Sequence, residues 1–593
     1  MNVSNLVAQQ VSMAFNSIYG QDLKPDFFQV EKTKSTFEGD QTLVVFPLLK
    51  ITKKSPEQSA TIIGEWLVSN SSIISNFNVV KGFLNLSLNM SFWITSFNDI
   101  LSKENFGLND SKSGKTYMVE YSSPNTNKPL HLGHLRNNFL GFSVAEILKA
   151  NGHNVVKTQI INDRGIHICK SMLAWLKFGN GETPASSSIK GDHLIGKYYV
   201  AFDKAYKKEV ADLVAKGVSS EDAKKQTTIL QEAQELLVKW ENKDPKVYEL
   251  WKKMNGWVYE GFNETYELMG VDFDKLYYES DTFLLGKDVV NKGLDKGIFY
   301  ENKDGSIWCD LSSEKLDDKL LLRADGTSVY MTQDLGTAIE RYNDYKELSG
   351  LIYTVGNEQN HHFKVLFTIL KKLGFSWADE CYHLSYGMVE LPEGRMKSRE
   401  GTVVDADDLI LSVVADAKEM TKERGHIEDM SESNRQKLYN TIGKGGLKYY
   451  LLKVDPKKKM LFNPQESIDL NGNTAPFIQY CYARIQSIIT NEEVPADSVD
   501  ENIALLAPEL KLIKLLADYP SIVKDAGKQL SPSIIANYSY NLVKAYNSFY
   551  QSISILGETD SKLRTFRILL SIKVADVIKS AMKLLGIDVP VKM

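Results

Sequence analysis

Cysteine is scarce in this chain of 593 residues: Cys169, Cys309, Cys381 and Cys481 stand far apart, with no C-x-x-C pair. That spacing argues against a zinc cage and against a disulfide framework, and a reduced compartment fits it. No run approaches the ~18 consecutive apolar residues of a membrane span. The opening segment, MNVSNLVAQQVSMAFNSIYG, reads as an amphipathic helix. It lacks the basic n-region and unbroken apolar stretch of a secretory signal, so a cytoplasmic location without membrane contact is expected. Internal repeats and low-complexity tracts are missing too. There is no excess of positive charge: 70 Lys and Arg against 75 Asp and Glu leave a net charge of -5. An RNA footprint is a local patch, however, so the total does not exclude a nucleic-acid partner.

What is present divides into stretches. An apolar content of 43% over this length supports about three or four domains. Residues 1–112 open with helical periodicity and end in VVKGFLNLSLN, which predicts a strand. The cluster NDSKSGK at 109–115 reads as a linker. YMVEYSS then predicts a strand, HLGHLRNNFLGFSVAEILKANG a helix stopped at Gly152, and NVVKTQIIND a second strand. Strand, helix, strand within this span is a βαβ unit of a doubly wound parallel sheet. The pattern resumes with LIYTVG, HHFKVLFTILKKLG and CYHLSYGMVEL. Residues 180–300 read as a charge-rich helical insertion that splits this sheet domain, 113–404. From 405 to 593 the chain reads as helix throughout. The expected fold is a multidomain α/β protein: an α+β N-terminal domain, a split Rossmann-like parallel-sheet domain and an all-α C-terminal domain.

Pro124-Asn-Thr-Asn-Lys-Pro-Leu-His131-Leu-Gly-His134 lies where the first sheet strand ends and a helix begins. A helix N-terminus offers unpaired N–H groups and a positive dipole end to phosphates. Gly133 permits close backbone approach. Two histidines three apart share one face of the first turn, where they can donate hydrogen bonds to a triphosphate. The bland alternative is a surface turn with two incidental histidines, and the strand-before, helix-after context weighs against it.

HLGH resembles the His-Ile-Gly-His signature of class I aminoacyl-tRNA synthetases. The longer string VEYSSPNTNKPLHLGHLRNNFLG resembles arginyl-tRNA synthetases in particular. The resemblance implies that His131 and His134 act on ATP, with Gly133 and His362 also at the nucleotide. It implies a second loop, normally Lys-Met-Ser-Lys-Ser, and the matching stretch here is Gly394-Arg395-Met396-Lys397-Ser398. Arg395 stands at the first lysine position and Ser398 at the second, so the usual second lysine is missing. Arginyl enzymes are similar in this, and Lys128, three residues before His131, is at the place of their compensating lysine. Lys397, displaced by one residue, is the other candidate for that charge.

The family further implies an arginine site. A guanidinium is planar and presents five donors in a fork, so it needs carboxylates and carbonyls placed in its plane. Glu120 and Asn125 keep the family's spacing at the end of the first strand, Tyr330 and Asp334 match its guanidinium pair, and Gln359 completes the set. Each alone has a dull explanation, such as an exposed strand end for Glu120 or a helix cap for Asp334.

The last third resembles a helical anticodon-binding domain. There Tyr480 and Arg484, with Lys457, Lys458, Lys459, Tyr449, Tyr450 and Tyr482 nearby, offer charge and stacking faces suited to single-stranded RNA. A solvated lysine face over core tyrosines is the alternative. The family's C-terminus carries an acid and an arginine where this one reads Val-Lys-Met593, which leaves that arginine's role unmatched. Residues 1–112 resemble the added domain that touches the tRNA elbow, with Phe83 and Asn85 at its nucleotide positions. The resemblance implies an ATP-dependent arginine–tRNA ligase acting on L-arginine and tRNA(Arg), with Mg2+ accompanying ATP, no zinc, and a monomer. It also implies that arginine activation waits for bound tRNA. Rival readings are a zinc-binding cysteinyl enzyme, a small nucleotidylyltransferase and an inactive RNA-binding paralogue. The scattered cysteines, the long helical last third, and the intact HLGH with its five arginine positions argue against them in turn.

Overall fold

A computed structural model of the chain describes residues 3–34, 36–109, 111, 115–390, 404–424, 427–490, 498–500 and 502–593. At its centre lies a five-stranded parallel sheet. Its strands are β1 (Thr116–Glu120), β2 (Asn154–Ile161), β3 (Lys275–Tyr278), β4 (Leu348–Gly356) and β5 (Cys381–Tyr386). The spatial order is β5-β4-β1-β2-β3. The chain thus builds outward from β1 in one direction, then returns to build in the other. The order reverses between β1 and β4, and a doubly wound sheet opens its ligand crevice outside the strand ends at that point.

Helix α1 (Leu132–Ala150) makes the first crossover, and His131 caps it. It is buried on nearly all sides, Arg136, Asn137 and Asn138 included. The polar three are all engaged. Asn137 Oδ1 accepts from the Ser122 backbone N–H at 2.6 Å, and its Nδ2 donates to the Thr354 carbonyl. One side chain therefore ties β1 to β4 across the switch point. Arg136 donates to the carbonyls of Gly387, Asp455, Pro456 and Lys458.

Helix α2 (Gly191–Ala215) and the helices Thr228–Glu241 and Pro245–Met269 form most of the insertion. The helical reading of 180–300 requires correction, because β3 falls inside it and pairs with β2 as an edge of the main sheet. Four residues, KLYY, are too few to show a period of two, and the insertion's strong helical pattern masked them. A second antiparallel sheet, Tyr300–Glu301, Ile307–Cys309 and Lys319–Leu322, follows and was not anticipated. Helix α3 (Tyr330–Asp344) leads from it into β4, and α4 (Asn360–Lys372) joins β4 to β5.

Beyond β5 the described residues are chiefly helical, with α5 (Ala406–Arg424), α6 (Glu432–Leu452), α7 (Ala475–Ile489), α8 (Ala507–Gln529), α9 (Pro532–Ser552) and α10 (Ser561–Leu584). One small exception is Met460–Leu461, which pairs with Val389–Glu390 in parallel. The N-terminal unit lays the helices Val3–Tyr19 and Pro56–Asn70 on a four-stranded antiparallel sheet. Its core continues without interruption into α1 and the C-terminal helices. Two ion pairs, Lys32 with Asp518 and Lys514 with Asp40, and a hydrogen bond from Lys573 Nζ to the Lys103 carbonyl (2.7 Å) bind the ends of the chain together. Among the described residues no helix is long and apolar enough to cross a membrane.

Candidate active site

The crevice is built first by the turn after β1. His131 caps α1 by accepting the Gly133 N–H on Nδ1 at 3.2 Å, and His134 Nδ1 accepts the His131 N–H at 3.1 Å. The two rings lie 3.9 Å apart. Burial first, then the Lys128 ammonium, hold His131 at about 4. Burial, His131 and Lys128 keep His134 well below the ordinary histidine value. Both are therefore neutral near pH 7, and with each Nδ1 serving as acceptor the proton sits on Nε2. Each ring has one N–H donor left, which suits an anionic ligand at a helix N-terminus. A cavity of about 240 Å³ opens between this turn and α2, lined among others by Lys128, His131, His193, Tyr199 and Asp405.

Arg395, Met396, Lys397 and Ser398 lie outside the described residues. What flanks them is described. Before them, Gly387 is held by Arg136 and by its own N–H to the Pro456 carbonyl at 2.8 Å. After them, the Val404 carbonyl accepts from Leu132 (3.2 Å) and the Ala406 N–H donates to Leu130 (3.0 Å). Both flanks are thus fastened to α1 or to the residues that open it.

The other wall is α3. Tyr330 and Asp334 share one face, and Tyr330 is 76% exposed. His362, in the first turn of α4, places Nε2 2.6 Å from Asp334 Oδ2. A residue expected at arginine and one expected at ATP thus touch each other. Gln359 and Asn125 are exposed in the connections that follow β4 and β1. Glu120, at the end of β1, is buried and its carboxylate is held by Arg341.

Sequence reasoning missed Glu279. It follows β3 directly, and Ser280 beside it is fixed by Asp163: the Ser280 N–H and hydroxyl both donate to that carboxylate at 2.8 Å. Asp163 is itself held by the Tyr259 hydroxyl, also at 2.8 Å. Burial pushes the Glu279 carboxyl up to about 7; Arg164 opposes this, while Asp163 and Asp334 add to it. Two mutually repelling carboxylates, Glu279 and Asp334, with the exposed Tyr330 one turn before Asp334, are a setting that a planar cation relieves. Only recognition of the short strand β3 could have placed Glu279 there.

His193, Asp405 and Asp407 group closely enough to hold a metal ion, their ligand atoms lying within 4.8 Å of one another. Lys190 Nζ already sits 2.5 Å from Asp407 Oδ2 and neutralises it. The cluster reads as the joint between α2 and α5.

On the RNA-facing candidates the structure separates the residues. Phe83 is 38% exposed and packs edge-on against Phe46. Asn85 is buried, accepting from Thr42 Oγ1 at 2.7 Å, and its Nδ2 has no hydrogen-bond partner among the described residues. Tyr480 is exposed, with the Arg484 guanidinium 4.9 Å from its ring. The same guanidinium lies 5.0 Å from the ring of Tyr550 and donates to Asn547 Oδ1 at 3.1 Å. Tyr550 and Asn547 come from α9, too far along the chain for spacing to reveal. Tyr449, Tyr450 and Tyr482 are core residues instead, which corrects their reading as stacking faces. The Tyr449 hydroxyl donates to Asn473 and Ala536, and that of Tyr450 to Leu461 and Glu466, because buried phenols must find acceptors.

Comparison with known proteins bears on what this crevice serves. Residues 96–463 match the model for tRNA synthetases class I (R), catalytic domain, and residues 478–593 match the DALR anticodon binding domain. The arginine–tRNA ligase of Flavobacterium psychrophilum is 55% identical, with all of both chains covered. That of Bacteroides thetaiotaomicron is 54% identical over the same full extent. In fold, the chain is similar to the arginyl-tRNA synthetase of Thermus thermophilus, with a TM-score of 0.79 at 20% identity over all of both chains. It is also similar to that of Plasmodium falciparum, with a TM-score of 0.77 at 18% identity over 100% of this chain and 99% of that one. A parallel sheet with a histidine-capped helix at its switch point, a matching catalytic model and end-to-end relatives at more than half identity lead to one assignment: this chain belongs to the arginyl-tRNA synthetase family.

Proposed function

We propose that this arginine–tRNA ligase binds ATP over the first turn of α1 and L-arginine across the crevice, against α3 and the residue after β3. The arrangement that carries the reading is a neutral, donor-presenting histidine pair after β1, with Glu279 after β3 and the Asp334–His362 contact at the helix after β4, all beyond the C-terminal ends of one parallel sheet. Glu279 and Asp334 take the guanidinium, with Tyr330 closing over it. Glu120, Asn125 and Gln359 take the amino-acid end, where a carboxylate suits the α-ammonium. The substrate carboxylate attacks the α-phosphorus of ATP and pyrophosphate leaves. A hydroxyl of the 3′-terminal adenosine then attacks the aminoacyl carbonyl, and AMP leaves. His131, His134, Lys128 and the stretch 395–398 stabilise charge on the phosphates; no protein nucleophile takes part. Mg2+ arrives on ATP as part of the substrate, and no zinc is involved.

Residues 1–112 hold the tRNA elbow through Phe83 and Asn85, 113–404 perform the chemistry, and 405–593 read the anticodon through Tyr480 and Arg484. The enzyme works as a cytoplasmic monomer. The test is arginine-dependent aminoacylation of tRNA(Arg) by the parent and by Asp334→Asn, with lysine as competitor. The substitution keeps size and removes a charge, so a rise of at least about tenfold in arginine KM at unchanged ATP KM is expected. Parental KM and parental discrimination against lysine would make Asp334 a structural residue and leave the guanidinium reading without support.

A further inference from the structure

Helix α3 carries Tyr330, Asp334 and Arg341 at spacings of four and seven, so one face bears all three. They descend from solvent into the core: Tyr330 is 76% exposed and Arg341 1%. Arg341 lies under the sheet, its guanidinium 5.1 Å from the Tyr277 ring of β3 and 5.5 Å from the Tyr353 ring of β4. Between these two strands run β1 and β2, and the last residue of β1, Glu120, meets Arg341 NH2. The Tyr277 hydroxyl bonds back to Asp344 of α3 at 2.9 Å, which fixes one of the two rings.

A buried ion pair adds little net stability, and apolar replacements of such pairs are often neutral or stabilising. Its geometry at this place does something else. A buried guanidinium beside two rings and paired with a carboxylate is restricted in the orientations it can take, and so is the carboxylate. We infer that Arg341 is a positioning residue for the amino-acid substrate, holding the Glu120 carboxylate as an anion, in one fixed direction, at the floor of the crevice beside the switch point. The inference rests on the reading that Glu120 meets the substrate α-ammonium. One face of α3 then aligns both ends of the bound arginine, Asp334 directly and Arg341 through Glu120.

The charged and titratable groups facing Glu120 are Arg341 and Asp334 from α3 and Tyr353 from β4, with Tyr277 of β3 behind the guanidinium. Burial raises the Glu120 carboxyl, Arg341 opposes the rise, and Asp334 adds to it. Without Arg341 the opposing influence is gone, so Glu120 takes up a proton more readily and its ionised fraction grows with pH.

The experiment measures arginine KM, ATP KM and kcat in aminoacylation from about pH 6 to about pH 8 for Arg341→Met, Arg341→Lys, Glu120→Gln and the Glu120→Gln/Arg341→Met double variant. Arg341→Met is expected to raise arginine KM about tenfold at the acid end and less at the alkaline end, with ATP KM unchanged. Arg341→Lys keeps the charge but not the planar fork, and is expected to raise it about threefold over the parent by the same factor at every pH. The double variant is expected to match Glu120→Gln alone, because Arg341 acts through that carboxylate. Losses that add in the double variant overturn the inference. So does an arginine KM equal to the parent's at every pH in Arg341→Met beside an impaired Glu120→Gln, an outcome that leaves the reading of Glu120 standing. Parental KM in Glu120→Gln removes that reading and the inference with it. If Arg341→Met does not fold, parental KM in Arg341→Lys overturns the inference instead.

Discussion

A histidine that caps a helix through Nδ1 has one nitrogen left, and in His131 and His134 that nitrogen carries the proton. Neutral donors alone do not balance a triphosphate, so the charge has to come from elsewhere, and Lys128 is near enough to depress both imidazoles. Lys128→Ala is therefore expected to slow arginine transfer at least about tenfold, roughly 1.4 kcal/mol of transition-state stabilisation. Single-turnover charging at the parental rate would remove Lys128 from that role. Glu279 gives a second expectation, this one in pH. Its carboxyl is pushed up to about 7 in the free enzyme, and a bound guanidinium favours the ionised form. Arginine seated against Glu279 as proposed displaces a proton below that value, so arginine KM should fall as pH rises through about 7 and level off above it. Glu279→Gln should flatten the profile; a profile of the same shape in that variant would show that some other group titrates.

At the level of elements, α3 is aimed by its packing. The helix Leu285–Asp295 crosses it so closely that a Cβ on Gly286 would lie 1.8 Å from the Thr332 carbonyl oxygen, and one on Gly336 2.5 Å from the Gly286 nitrogen. Gly286→Ala is expected to cost about 1–3 kcal/mol and, by displacing α3, to raise arginine KM while sparing ATP KM. Thermal melting and the two Michaelis constants check this together; parental values in both would show that the contact relaxes freely. The same elements mark how far the sequence was legible. α1 and its capping histidines were readable because a strand, a turn and a long run with helical spacing follow one another without interruption. β3 was not, being four residues at the edge of a sheet whose other members lie far off in sequence. Glu279 was lost with it. Arg341 was invisible for a different reason: its partner, Glu120, is 221 residues away, and no local pattern records a pairing across a sheet. The exposed face of Tyr480 and the buried ring of Tyr482 differ only by which side of α7 they occupy.

Across the whole molecule, the N-terminal unit and the C-terminal helices share one core with α1. A tRNA held at both extremities would therefore act on a single body that contains the first turn of α1, the proposed place of ATP. Pyrophosphate exchange into ATP, dependent on arginine, is expected to be negligible in RNA-free enzyme and to appear when tRNA(Arg) is added. Robust exchange without RNA would show that Lys128 and the residues around 395 order ATP unaided. The strand order has one further outcome, for a chain emerging from the ribosome. β1 is made early, but its neighbour β4 follows more than two hundred residues later, and the helices that cover α1 come last. Until then the nascent chain carries one flank of the crevice with the apolar side of α1 uncovered. The insertion helices, by contrast, find their partners locally and can pack as soon as they are released. Synthesis should thus yield a folded insertion on an unfinished sheet, and the site should close only when the last helix leaves the exit tunnel.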